Sequence, residues 1–165
     1  MKVSETGEFL AQGNVVLQSY WANPEATAEA LDGGWFHTGD GGHVDDEGYY
    51  SITDRKKDVI ISGGENVSSI EVEDCVFSHA AVTEVAVIGV PDEKWGETVK
   101  ALVVIDPDAS VSEQDIIDHC REKVAHYKCP TSVEFREALA RTATGKLQKF
   151  KLREPYWEGM DKAVN

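Results

Sequence analysis

Long apolar runs are missing from this sequence. No uninterrupted hydrophobic stretch approaches the ~20 residues that span a bilayer, and Met1-Lys2-Val3-Ser4-Glu5-Thr6-Gly7-Glu8 has no signal-peptide core, so a soluble, cytoplasmic chain is expected. Basic residues are scarce: 16 Lys and Arg stand against 30 Asp and Glu, a formal net charge of −14. Nucleic acids and anionic membranes reward clustered cations through counterion release, so neither is an expected partner. Cysteine is limited to Cys75, Cys120 and Cys129 with no CxxC pair, an odd set that argues against a disulfide framework and suits a reducing compartment. His126 lies three residues before Cys129 and His119 adjoins Cys120, but this spacing fits no standard zinc site and packing is the better reading; no metal ligand is assigned. Internal repeats and low-complexity tracts are absent as well.

What is present is enough for a folded core: 165 residues, 41% of them hydrophobic, about one domain by length. Two cationic islands stand out from the acidic background, Arg55-Lys56-Lys57 and the series Lys146, Lys149, Lys151 and Arg153. Taken alone, each reads first as a solvated charged face. Their surroundings add content. Asp54 and the first island lead into Val59-Ile60-Ile61-Ser62-Gly63-Gly64-Glu65-Asn66, a charged turn feeding an apolar strand that ends in paired glycine. Thr142-Ala143-Thr144-Gly145-Lys146 is a lysine on a loop of small residues. Such parts handle anionic, phosphate-bearing ligands.

Local patterning predicts an α+β chain. Residues 9–17 read as a strand interrupted by Gly13, and Asn23-Pro24-Glu25 opens a short helix to Leu31, closed by Gly33-Gly34. Short strands follow at 35–38, 43–45 and 49–53, separated by Gly-Asp and Glu-Gly turns. Residues 58–62 read as a strand, and Ser68-Ser69-Ile70-Glu71 as a capping box opening a helix whose Val72, Cys75 and Val76 share a face. The β-branched runs 82–90 and 98–105 predict antiparallel neighbours. Ser112-Glu113-Gln114-Asp115 caps a helix with Ile116, Ile117, Cys120 and Val124 on one face, stopped by Lys128-Cys129-Pro130. A strand at 131–135 and a final helix from about Leu147 to Pro155 complete the reading. The fold class is α+β, a small β-rich segment followed by a small antiparallel sheet flanked by helices.

Thr38-Gly39-Asp40, the 54–66 segment, Trp95-Gly96-Glu97, Tyr127-Lys128-Cys129-Pro130 and the 142–146 loop occur in the order and spacing of one family. Over nearly its whole length the chain resembles the carboxy-terminal portion of adenylate-forming ligases, most closely the fatty-acyl-CoA synthetases. The resemblance implies three parts: residues 1–54 as the β-rich end of the large domain, 55–57 as a hinge, and 58–165 as the small lid domain. The rest of the large domain, with its phosphate-binding loop and acyl pocket, lies outside the chain, which is expected to be a fragment, a split product or a freestanding relative, inactive alone.

The implied chemistry is ATP-dependent: a carboxylic acid, a fatty acid by resemblance, is adenylated, and CoA then displaces AMP. ATP with Mg²⁺ and CoA are the substrates, the Mg²⁺ ligands lie outside this chain, and the missing large domain is the implied partner. Asp40, otherwise readable as an Asx turn, matches the family aspartate that accepts from the ribose hydroxyls. Arg55, otherwise a surface ion pair, matches the arginine at the ribose and phosphate. Lys57 takes the hinge position. Gly63 and Gly64, otherwise a strand-end turn, match a loop lining the pantetheine tunnel, with Ser62, Glu65 and Asn66 as weaker polar candidates. Lys146 matches the lysine that bridges carboxylate and α-phosphate during adenylation; Ala140 stands where proline is usual. Trp95, Tyr127 and Lys128 fall near the implied CoA path, with core packing as the rival reading for both aromatics, and Cys129 and Thr131 replace basic residues of some relatives. Two other readings stand beside this one: a noncatalytic lid module binding a nucleotide or a partner, and the tail of an acyl-AMP ligase serving a carrier protein.

Overall fold

In the computed structural model, which describes residues 1–160, the chain divides into two compact units, the first ending at Lys57 and the second beginning at Asp58. Residues 161–165, part of the expected small domain, lie outside the described residues. Two small sheets and four helices make the described chain α+β.

The first unit is an antiparallel sheet in the order β1 (Lys2–Val3), β2 (Glu8–Ala11), β3 (Phe36–Val44), β4 (Tyr50–Arg55). The single helix α1 (Pro24–Ala30) starts where expected: the Asn23 side chain accepts from the Ala26 N–H and Pro24 takes the first position, where no N–H is needed. Two strand expectations are corrected. The strand expected over 9–17 ends at Ala11. The strands expected at 35–38 and 43–45 are one continuous β3, and Gly39-Asp40 lies within it rather than in a turn. A bulge between Gly41 and Gly42 makes this continuity feasible. A Cβ on Gly42 would sit 2.1 Å from the Ser51 carbonyl oxygen and 2.5 Å from the Phe9 ring, so glycine here serves close approach. Phe9, fully buried beneath it, meets Tyr50 edge to face at 5.5 Å.

The second unit is built on β7 (Val82–Asp92) and β8 (Gly96–Ile105), the long antiparallel pair read from their β-branched runs. β8 also pairs with β5 (Ile60–Ser62) at Gly96 and, in parallel, with β9 (Ser132–Phe135). Beyond β5 lies β6 (Glu65–Val67), a polar strand that local patterning did not suggest. Alternation along β7 and β8 sends Val85, Val87, Val99, Ala101 and Val103 into one core and Ala86, Ile88, Val90 and Leu102 into another. Helices α2 (Ser69–Phe77) and α3 (Glu113–Arg121) cover the first with Val72, Cys75, Val76, Ile116, Ile117 and Cys120. Helix α4 (Lys149–Trp157) covers the second through Leu152. Burial on both faces explains why these strands read as continuous apolar runs.

Caps fix the helix starts. Ser68 Oγ accepts from the Glu71 N–H, and Ser112 with Asp115 forms a full capping box. Helix α3 ends at Arg121, and Lys128 closes only a 3-10 turn, His126–Lys128. Helix α4 starts two residues later than expected and runs through Pro155 to Trp157. Anchors past the proline hold that last turn: Tyr156 Oη donates to Glu134 and Trp157 Nε1 donates to the Gly89 carbonyl at 3.0 Å.

Candidate functional site

In the first unit the β3–β4 register sets Asp40 opposite Arg55, with Arg55 Nε 3.4 Å from Asp40 Oδ1. An acceptor-only carboxylate and a directional cationic fork therefore stand side by side, the arginine 59% and the aspartate 30% exposed. The backbone beneath is braced. Gly39 has φ +73°, Thr38 Oγ1 donates to the Phe9 carbonyl at 2.8 Å, and the Asp40 N–H donates back to Thr38 Oγ1 at 3.1 Å. Buried Glu8 completes the brace. Its Oε1 accepts from the Gly39 N–H at 2.9 Å, and its Oε2 lies 3.2 Å from both Lys56 Nζ and His37 Nδ1. Burial pushes the Glu8 carboxyl up, but the Gly39, His37 and Lys56 donors outweigh it and hold it below the usual range. A cavity of about 510 Å³ opens beside this brace, lined by Tyr20, His37, Thr38, Gly39 and Lys56 among others. Lys57, the last residue of the unit, lies in the 3-10 turn Lys56–Asp58.

In the second unit Lys146 ends the tip of a tight hairpin. The Thr142 N–H donates to the Lys146 carbonyl at 2.8 Å, the Gly145 N–H to the Thr142 carbonyl at 2.9 Å, and the Lys146 N–H to Thr142 Oγ1 at 3.1 Å. Arg141 bridges to Leu147 across the hairpin. Gly145, at φ +85°, supplies the turn conformation that other residues resist. The Lys146 side chain is exposed, and among the described residues its ammonium makes no ion pair.

Gly63 and Gly64, at φ +60° and +87°, form the two-residue turn between β5 and β6, a geometry that needs positive φ at both positions. The Gly63 N–H donates to the Trp95 carbonyl at 2.9 Å, and a Cβ on Gly63 would strike the Trp95 ring at 2.7 Å. Nothing lies within 4 Å of a Cβ on Gly64. Trp95 therefore packs on Gly63 while staying 48% exposed, with Lys94 Nζ 4.3 Å above its ring. Ser62 and Glu65 pair across the turn, and Ile61 pairs with Asn66.

Tyr127 is half exposed, but Lys128 Nζ is engaged by both oxygens of Glu71, at 2.6 and 2.7 Å. The Glu71 hydrogen bond raises the Lys128 pKa. Cys129 is buried in the core with Sγ 3.6 Å from the Ala125 carbonyl, whereas Thr131 is exposed and its Oγ1 lies 2.7 Å from Thr98 Oγ1. All three cysteines are buried and free. Burial, then the neighbouring Cys75 thiol, pushes the Cys120 thiol up to about 12, which suits packing rather than reactivity. Among the described residues no group of three or more His, Cys, Asp or Glu could hold a metal, and no helix is long and apolar enough to cross a membrane.

The fold thus brings together Asp40 with Arg55 and Gly63 with Trp95. Among the described residues no hydrogen bond or ion pair joins the Lys146 hairpin to the Gly63–Gly64 turn. Sequence reasoning missed Glu8, His37 and Lys56 beneath Asp40, and the Glu71 partner of Lys128. Each of these contacts spans 29 residues or more, so no local pattern marks it.

Residues 71–146 match the AMP-binding enzyme C-terminal domain. The chain is 53% identical over 150 residues to the long-chain-fatty-acid–CoA ligase FadD13 of Mycobacterium tuberculosis, covering 91% of this chain and 30% of that protein. It is 45% identical over 152 residues to the feruloyl-CoA synthase of an Amycolatopsis species, covering 92% and 31%. The ATP-bound crystal structure of MatB from Rhodopseudomonas palustris matches with a TM-score of 0.85 at 40% identity, over 91% of this chain and 30% of that one. Over most of its length the chain is similar to the carboxy-terminal portion of long-chain-fatty-acid–CoA ligases and other adenylate-forming ligases. It spans about 30% of the length of the curated relatives it matches.

Proposed function

We propose that this chain is the carboxy-terminal part of an ATP-dependent, AMP-forming acyl-CoA ligase, with residues 1–54 ending the large domain, 55–57 as hinge and the remainder as lid. In the first half-reaction a carboxylate oxygen attacks the α-phosphorus of ATP and pyrophosphate leaves, giving acyl-adenylate. In the second, the CoA thiol adds to the acyl carbonyl, loses its proton and expels AMP. The observation that carries this reading is Lys146, a cation on a braced hairpin with no ion partner among the described residues. An ammonium so held can meet the negative charge that builds on the α-phosphoryl group without first leaving a carboxylate.

Asp40 accepts from the ribose hydroxyls and Arg55 meets the ribose and phosphate. Lys57, at the boundary between the units, is the hinge. Gly63 and Gly64 line the pantetheine path, with Trp95 forming its wall; Tyr127 and Lys128 lie along the CoA approach, and Lys128 must exchange Glu71 for a ligand to contribute. The magnesium accompanying ATP is assigned no ligand in this chain. A fatty acid is the favoured substrate, supported by 53% identity to the mycobacterial ligase. The site of action is the cytoplasm, and the chain alone, without the acid pocket, is expected to release no pyrophosphate from ATP.

The test uses a ligase completed by a large domain. Lys146→Ala should slow adenylation by about 100- to 1,000-fold, the usual cost of one transition-state donor, yet still convert premade acyl-adenylate and CoA to thioester. Gly64→Leu should adenylate but make no thioester. Its side chain enters open space, at a backbone cost of roughly 1–2 kcal/mol for the left-handed region. Equal impairment of both half-reactions in both variants would refute the assignment.

A further inference from the structure

We propose that Arg141 is a positioning residue for Lys146, tying the tip of the lysine hairpin to the rim of the sheet. The inference rests on the adenylation role given to Lys146. Arg141 Nη1 donates to the Gly145 carbonyl at 2.8 Å, the peptide oxygen immediately before Lys146. The same guanidinium gives Nε and Nη2 to Glu84 Oε2 at 3.1 and 2.7 Å, and Glu84 sits on β7 opposite Val104. One rigid planar group thus fixes the spacing between hairpin tip and sheet, which a single ammonium on a flexible stem could not do.

The hairpin's own backbone bonds close it on itself, and Ala140 and Leu147 pack on the apolar core at its base, which leaves the tip to be oriented by side-chain hydrogen bonds. Among the described residues, the two side-chain hydrogen bonds from residues 141–147 to the sheet both come from Arg141 and both go to Glu84. The exit leg is pinned separately: Lys149 Nζ lies 2.7 Å from Glu73 Oε1 and donates to Ser69 Oγ at 2.7 Å. Lys146 is therefore suspended between two anchored points five residues before it and three after. Arg141 and Glu84 are 41% and 37% exposed, and ion pairs so exposed add little to global stability. Their purpose is better read in the placement of the tip, because an error of ~1 Å at a reacting group can cost about 100-fold in rate.

Two arms test this with Arg141→Ala and the milder Glu84→Gln. In the intact chain, amide exchange at Gly145 and Lys146 should quicken about two- to fivefold, as loss of an exposed pair allows, while β7 and β8 amides keep their rates. In the completed ligase, adenylation should fall by up to about 100-fold while thioester formation from acyl-adenylate is unchanged. In a Lys146→Ala background, Arg141→Ala should cost nothing further, since no ammonium remains to be misplaced. Unchanged tip exchange, equal loss in both half-reactions, or additive losses with Lys146→Ala would each overturn the inference. Intact adenylation in Lys146→Ala alone would instead overturn the functional reading, and this one with it.

Discussion

In the second unit β7 and β8 send successive side chains to opposite faces, and helices cover both. In the first unit β4 leaves Tyr50 and Ile52 43% and 62% exposed, and the buried apolar side chains among the described residues are Phe9 and Leu10. Its other buried groups, Glu8 and Asp54, are carboxylates. One unit is held by an apolar core, the other largely by hydrogen bonds around charge. Small units bury too little apolar area to be secure alone. The difference also orders the proposed chemistry: the Lys146 hairpin and the Gly63–Gly64 turn stand on the robust unit, while Asp40 and Arg55 stand on the sparse one.

The comparison is sharpest at single side chains. Leu102 is fully buried in the second unit, and Leu102→Ala should cost about 2–5 kcal/mol in urea unfolding, the range for a core leucine. Ile52→Ala in the first unit should stay within about 0.5 kcal/mol, as for a surface position. A comparable loss at Ile52 would mean that β4 is not the exposed face described above.

A somewhat smaller effect is expected in native-state hydrogen exchange. Amides of β3 and β4 should be less protected than those of β7 and β8 by on the order of 100-fold, because local opening follows the apolar contacts that oppose it. Equally slow exchange in both units would break the comparison and favour a freestanding relative over a fragment.

The same division separates what was legible in the sequence from what was not. Helix α3 was legible because its signals are local: Ser112 and Asp115 cap it, and Ile116, Ile117 and Cys120 recur on one face. The β7–β8 pair was legible because burial on both faces demands β-branched residues throughout. β3 was misjudged because Gly39, Gly41 and Gly42 look like turn residues, whereas Gly42 makes room for Phe9, 33 positions away. β6 was missed because Glu65-Asn66-Val67 has no apolar alternation; its pairing comes from the two-glycine turn before it. Among candidate site residues, Asp40, Arg55, Gly63 and Lys146 stood in motifs, while the groups that brace them act through contacts distant in sequence, Glu8 with Gly39 and Arg141 with Glu84.

The smallest expected effects are in pH dependence, and they fall in different windows for the two units. Glu8 has a folded pKa below its usual 4.5, so its contribution is complete above that value and is lost as pH falls through the lower folded pKa. His119 is a base lowered from 6.5, first by burial and then by the Lys123 and His79 charges. Ser78 Oγ donates to the Cys75 carbonyl at 2.7 Å and accepts from Lys123 Nζ at 2.8 Å, so the 2.9 Å contact with His119 Nε2 is served by an imidazole N–H. A lowered base is bound by fewer protons in the folded state than in the unfolded one, so the second unit should begin to lose stability as pH falls below 6.5. The first unit should hold until about 4.5 and then weaken. Residue-resolved exchange across a pH series checks this: His119→Gln should remove only the upper window and Glu8→Gln only the lower. A lower window that persists in Glu8→Gln would show that the first unit's acid sensitivity resides in another carboxylate, and that its charge-centred brace is not what distinguishes it from the apolar unit.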